Sequence, residues 1–428
     1  MNKLAGLLAL AAILAGPAAA ASAPDVAIVG ARIYPAPDAQ PIEDGTVVIR
    51  DGRIAGVGPR AEISPPDGAR IIEARGQVLT AGFWNSHVHL LSPAQLGAAT
   101  APAEVLQAEL TAMLTRWGFT AVFDIASSTA ATLALRRRVE AGEVEGPAIL
   151  TVGDPFYPQD GTPIYVRAFY QANGLASAEV ATPDEAAARA ARQLDQGTDG
   201  VKLFTGAVVG GKTGVLPMRV DIAKAIVDEA HRRGKVAFTH PANLAGLNVA
   251  IDAGVDVLAH TTAMDGGGVP GGWTPELIAR MRAIDMALIP TMSLLEVESR
   301  RSKGSPEALA QGMAMITDEV RLYAAAGGQI LFGTDVGYTD LFDTTREYEL
   351  MARALDWRQI LASLTIAPAA RFGFARHKGR IAKGMDADLV LLSADPAQDP
   401  AAFAKVRATI RGGRVIWDAA AVSPAPAR

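Results

Sequence analysis

Two hydrophobic patterns divide the chain. From Val26 to Val78, short runs such as "DVAIVGARIYP" and "GTVVIRDGRIAGVG" alternate apolar and polar residues between Gly and Asp turns, the pattern of half-buried strands. The tail resumes it in "DADLVLLSADP" and "VRATIRGGRVIWD". Between about Gly82 and Phe374 the pattern changes. Eight apolar runs ("GFWNSHVHL", "TAVFDIA", "AILTVGD", "GVKLFTG", "VAFTHP", "DVLAHTT", "ALIPTMS" and "QILFGTDV") alternate with Ala-rich amphipathic stretches. The stretches predict helices over Ala103–Trp117, Ala130–Ala141, Pro183–Gln196, Val220–Arg233, Leu244–Ala253, Pro275–Ile284, Pro306–Ala326 and Thr344–Thr365. Thr182-Pro183 and Thr274-Pro275 read as N-caps followed by proline in the first turn.

Eight strand–helix units in series argue for a closed parallel barrel. The expected fold is α/β: a (β/α)₈ TIM barrel over residues 81–374. A small composite β-sandwich domain is expected from both chain ends, residues 22–80 and 375–428. One connection is long. Asp154–Thr182 carries Tyr157, Tyr165, Phe169 and Tyr170, too aromatic for a disordered loop, and is a candidate substrate wall or lid.

Residues 1–21 read differently. Lys3, the apolar stretch Leu4–Gly16 and the following alanines have the order of a secretory signal, with export to the periplasm or medium as its consequence. The run is too short for a stable membrane anchor. Cleavage is expected among the small residues near Ala20 to Ser22. Of the 428 residues, 50% are hydrophobic and the net charge is −5, so no basic surface marks a nucleic-acid partner. There are no cysteines, which removes thiolate nucleophiles and zinc–sulfur sites. Self-association is left open.

Candidate chemistry concentrates at strand ends. Of six histidines, His87 and His89 fall on the first apolar run, His240 on the fifth and His260 on the sixth. Asp335 ends the eighth, and Lys202 lies in the fourth. Strand C-termini of a barrel converge at one mouth. Residues two apart in a strand point the same way, so His87 and His89 can grip one metal; alone, the pair reads equally as two hydrogen-bonded core histidines. Lys202 has two readings. It is an ordinary strand-end lysine, free or paired with Asp199, or it loses its proton through burial and adds CO₂ to become an anionic carbamate. His231 and His377 read as structural, Asp124 as an outer hydrogen-bond acceptor, and Thr334 as a local one.

The segments "GFWNSHVHL", "GVKLFTG", "FTHP…AIDAGVDVLAHTT", "FGTDVG" and "GRIAKGMDADLVLLSADP" resemble the amidohydrolase superfamily, in order and over nearly the whole mature chain. They are most similar to its binuclear, carboxylated-lysine branch of Xaa-Pro and Xaa-Arg dipeptidases, and resemble imidazolonepropionase-like proteins in layout. That resemblance implies two divalent metal ions, Zn²⁺ first, with Mn²⁺, Co²⁺ or Fe²⁺ as alternatives. His87, His89 and Asp335 would hold one; His240 and His260 would hold the other. A CO₂-derived carbamate on Lys202 would bridge them. Asn85 departs from the pattern, since many relatives have Asp there.

The chemistry expected is attack of a metal-activated hydroxide on a small amide, a dipeptide or an N-acyl amino acid, with Asp335 as the catalytic proton carrier. Tyr165 and Arg167 are candidate substrate-binding residues for a carboxylate, although an arginine in a loop is more often solvated. Three other readings stay open: a mononuclear imidazolonepropionase- or deaminase-like enzyme, a lactone or phosphotriester hydrolase, and a non-catalytic binding protein on the same fold.

Overall fold

A computed structural model describes residues 25–262 and 272–421. The expected export signal and most of the glycine-rich stretch after His260 lie outside the described residues. Among those residues, no helix is long and apolar enough to cross a membrane.

The chain ends share one eight-stranded sheet. The tail strand Leu389–Leu392 pairs antiparallel with Val78–Ala81, Leu391 opposite Leu79, and so joins the two ends. Tight hairpins shape the sheet's margins. Asp51 and Gly52 both have positive φ, as do Gly412 and Gly413, the backbone that two-residue hairpin turns require. Ile28, Val47, Ile54, Leu79, Leu389 and Ile410 pack into this sheet's own core.

The central segment forms parallel strands in two arcs. The first joins Phe83–Val88, Phe119–Asp124 and Ala148–Thr151; the second runs in sequence order from Gly200–Phe204 to Gln329–Ile330. Backbone hydrogen bonds cross both gaps between the arcs. At one, Ser86 N donates to Phe332 O at 2.8 Å; at the other, Asp199 N donates to Thr151 O at 2.7 Å. Residues alternate in facing. Trp84, Phe123, Leu150, Phe238, Ile289 and Leu331 meet in one cluster, whereas their neighbours Phe83, Val122, Ile149, Ala237, Leu288 and Phe332 pack with the helices. This period of two is that of strands buried on both faces.

Helix boundaries follow the sequence reading at most positions. Thr182 and Thr274 accept from the amides of Glu185 and Leu277, with proline next in each case. The helix expected over Thr344–Thr365 is instead two helices, Thr345–Met351 and Trp357–Leu364. Asp356 and Gln359 form a reciprocal capping box that starts the second. Helix Ser293–Ser302 and the hairpin Gly206–Gly210/Gly214–Pro217 were not anticipated.

Candidate metal centre and active site

The alternation that packs the strands also aims the site residues. Val201 and Leu203 pack with the helices, which turns Lys202 and Phe204 to the opposite side. A register irregularity between Asn85 and Val88 does the same for the first strand. Val88 packs with the helices, and His87 and His89 flank it.

The predicted donors from separate strands come together. Asp335 Oδ1 lies 3.0 Å from His87 Nε2 and 2.8 Å from His89 Nε2. The two Nε2 atoms are 3.3 Å apart. His260 Nε2 is 3.9 Å from Asp335 Oδ2. The His260 ring is 4.7 Å from that of His87 and 4.9 Å from that of His240. His240 in turn stacks on Phe204, rings 4.8 Å apart. Lys202 and Asp335 are 2% and 3% exposed.

Outer contacts fix which nitrogen faces the cluster. His89 Nδ1 meets Ala126 O at 3.0 Å, a carbonyl that only accepts, so the proton sits on Nδ1 and the Nε2 lone pair points inward. His260 Nδ1 meets Thr291 Oγ1 at 2.5 Å, and that hydroxyl donates onward to Pro290 O at 2.8 Å. Thr291 therefore accepts from His260, again freeing Nε2. Sequence reasoning missed Thr291; a hydroxyl two residues past the seventh strand was its only signal.

Asn85 was read as a departure with no role as a ligand. It is fully buried and braces two strands. Its Nδ2 donates to Thr334 Oγ1 at 2.7 Å, and its Oδ1 accepts from the amides of His87 and Thr334 at 3.2 and 3.3 Å. Asp124 accepts from the hydroxyls of Ser127, Thr132 and Thr151, the outer role expected of it. His231 is on the surface against Asp256, and His377 is exposed.

Several of these residues hold unusual backbone. His260, Asp335 and Thr291 have φ of +72°, +59° and +44°. Left-handed conformations cost non-glycine residues roughly 1–3 kcal/mol and persist where surrounding contacts over-determine them. At Asp335 its own amide is held by His87 O at 2.9 Å. Gly337 completes the turn, because a Cβ there would come within 1.8 Å of His89 O.

The electrostatics match a cation site. Burial lowers the His87 pKa to about 4 and that of His240 to about 3, so both are neutral donors at neutral pH. Burial opposes ionisation of Asp335, but His87 and His89 overcome it and hold the carboxyl well below its usual range. Burial brings Lys202 down to about 7. Asp199 is not its partner, being held by Arg136 at 2.6 Å. Despite its two close imidazoles, Asp335 Oδ1 has no hydrogen-bond partner of acceptable geometry among the described residues. Converging nitrogen and oxygen lone pairs around an unsatisfied buried carboxylate fit a divalent cation. The ligand atoms of His87, His260 and Asp335 also all lie within 4.8 Å of one another.

Above this floor opens a cavity of about 350 Å³. The long third-strand connection supplies one wall, including Tyr157, Ile164, Tyr165, Phe169 and Tyr170. Tyr165 thus sits where a substrate-binding residue should. Arg167 does not: it is absent from the lining, and its Nε donates to Thr162 O at 3.0 Å at the surface. The residue begins the short helix Arg167–Ala172, whose aromatic side chains Phe169 and Tyr170 take the cavity side.

Comparisons with known proteins bear on this arrangement. The sequence profile of the amidohydrolase family matches residues 78–416. The chain is 24% identical over 438 residues to the ochratoxinase of Aspergillus niger, covering 91% of this chain and 86% of that one. It is 26% identical over 396 residues to the dihydroorotase of Anaeromyxobacter sp. (strain K), covering 82% and 86%. Its structure superposes on that of a Xaa-Pro dipeptidase with bound methionine at a TM-score of 0.76 and 23% identity, covering 92% of this chain and 100% of the other. Such neighbours are TIM-barrel-type folds with a second domain. The chain belongs to the amidohydrolase family and is a hydrolase acting on carbon–nitrogen bonds.

Proposed function

We propose that this protein is a metal-dependent hydrolase of small amides, with two divalent cations seated at the mouth of a closed (β/α)₈ barrel. The observation that carries the reading is the buried Asp335 carboxylate, with two imidazole Nε2 atoms converging on its Oδ1 at 2.8 and 3.0 Å. His87, His89 and Asp335 would hold one cation, and His240 and His260 the other, with a carboxylated Lys202 as a further anionic ligand. Zinc suits such nitrogen and oxygen donors, and so do manganese, cobalt and ferrous iron. When bound, such cations would supply an acidified water and a Lewis acid for the carbonyl oxygen.

The protein's own groups do the rest. Asp335 takes the proton as water adds to the carbonyl carbon, then delivers it to the amide nitrogen as the C–N bond breaks. A carboxylic acid and an amine leave. Thr291 and Ala126 O hold the His260 and His89 rings in the tautomer that presents Nε2. The low Lys202 pKa supports the binuclear reading over a mononuclear one, because only a neutral amine adds CO₂.

Metal analysis and turnover test this. Protein loaded with zinc and bicarbonate should carry two ions per chain and hydrolyse an amide panel, and chelation should abolish turnover. Lys202→Ala should retain one ion. Retention of two ions in Lys202→Ala, or full activity after chelation, would defeat the proposal.

A further inference from the structure

The proposed function leaves the substrate open, and the cavity's charges narrow it. Recognition of a dipeptide or N-acyl amino acid needs a cation for the free carboxylate. Among the described lining residues, Lys202 at the floor is the only lysine, and no arginine faces the cavity. The segment 263–271 after the sixth strand contains no Lys or Arg in its sequence.

The guanidinium groups behind the walls are committed elsewhere. Arg189 lies over the Phe156 ring and donates to Ala178 O and Pro155 O at 2.6 and 2.7 Å. Arg301 lies over the Tyr338 ring, pairs with Glu298 at 2.9 Å and donates to Tyr338 O at 3.2 Å. Glu298 itself lines the cavity, as does Asp154. Above the floor, then, the described lining offers a substrate no free cation.

The remaining lining is apolar and aromatic. Tyr165 packs edge-on against Tyr338, rings 5.5 Å apart. Ile164 and Tyr165 on one loop are exposed, and so are Leu341 and Phe342, which follow Tyr338 on the other. These four are among only seven large apolar side chains that are exposed among the described residues. Of these, Ile164 and Tyr165 line the cavity itself, and exposed apolar side chains at a cavity mark a surface that receives apolar ligands.

We infer that the substrate is a neutral amide with aryl or bulky alkyl groups and no carboxylate beside the cleaved bond. The inference rests on the proposed amide hydrolysis. A free carboxylate entering this cavity would find, among the described lining residues, no arginine or lysine above the floor to offset its lost hydration.

N-Benzoyl-phenethylamine and N-benzoyl-phenylalanine share one amide and differ by that carboxylate alone. With the zinc-loaded full chain, kcat/KM should be at least tenfold higher for the phenethylamine compound. The uncleavable benzenesulfonyl counterparts, measured by calorimetry, should bind in the same order. Ile164→Arg, which places a cation at the exposed lip, should narrow both ratios at least tenfold. If the acid sulfonamide binds as tightly as the neutral one, or Ile164→Arg leaves the ratios unchanged, the inference is overturned while hydrolysis stands. If neither amide turns over but the sulfonamide order holds, the proposed hydrolysis falls and the charge preference stands.

Discussion

The floor and the wall of the site are built by different rules. The floor takes its donors from strand ends, buries them, and holds His89 and His260 through partners just past neighbouring strands. The wall comes from connections, is mostly aromatic, and is partly exposed at Ile164 and Tyr165. The contrast separates chemistry from selection. Parallel strands fix lone pairs at their ends, while loops are free to shape the space above.

Substitutions should therefore divide into two classes. The largest effect belongs to the floor. Asp335→Asn removes the proton carrier and should lower kcat by about 10²–10⁴-fold while circular dichroism shows an intact fold. Thr291→Val leaves His260 in place but removes the acceptor of its Nδ1 proton. Zinc affinity should fall about 10–100-fold, read by competition with a chromogenic chelator. Unchanged affinity would mean that the ring is held by packing alone. On the wall, Tyr165→Ala should leave zinc content untouched and raise KM a few-fold with little change in kcat. Loss of zinc in that variant would dissolve the distinction between the two regions.

The smallest effect concerns pH and again separates floor from wall. His87 and His240 have folded pKa values of about 4 and about 3, below the usual value near 6.5. As pH falls from about 6.5 toward 4, the unfolded chain takes up these protons before the native one, so the metal-free protein loses stability; above about 6.5 neither contributes. The urea midpoint of metal-free protein should be lower at pH 5 than at pH 7.5, and His240→Asn should flatten that slope while Tyr165→Ala should not.

The same division explains what the sequence revealed. Strand ends advertise themselves: His87 and His89 share a facing by the period of two, whereas Lys202 had two readings until the family resemblance chose between them. The (β/α)₈ reading rested on counting such units. Helix N-termini at Thr182 and Thr274 were legible because the cap is local chemistry. The break before Trp357 was equally local, in the Asp356–Gln359 capping box, but was hidden by continuous apolar spacing. Contacts made in three dimensions left no such trace. Thr291 matters because it meets a ring 31 positions earlier, and Asn85 because it bridges to Thr334, 249 positions away. Arg167 failed as a carboxylate clamp because composition could not tell which face of a six-residue helix would line the cavity.

Anomalous diffraction from crystals of the zinc- and bicarbonate-loaded protein tests the central claim most directly. Two peaks should appear in each chain, one among His87, His89 and Asp335 and one beside His240 and His260, with added density on Lys202 Nζ. A single peak, or metal bound away from these side chains, would contradict it.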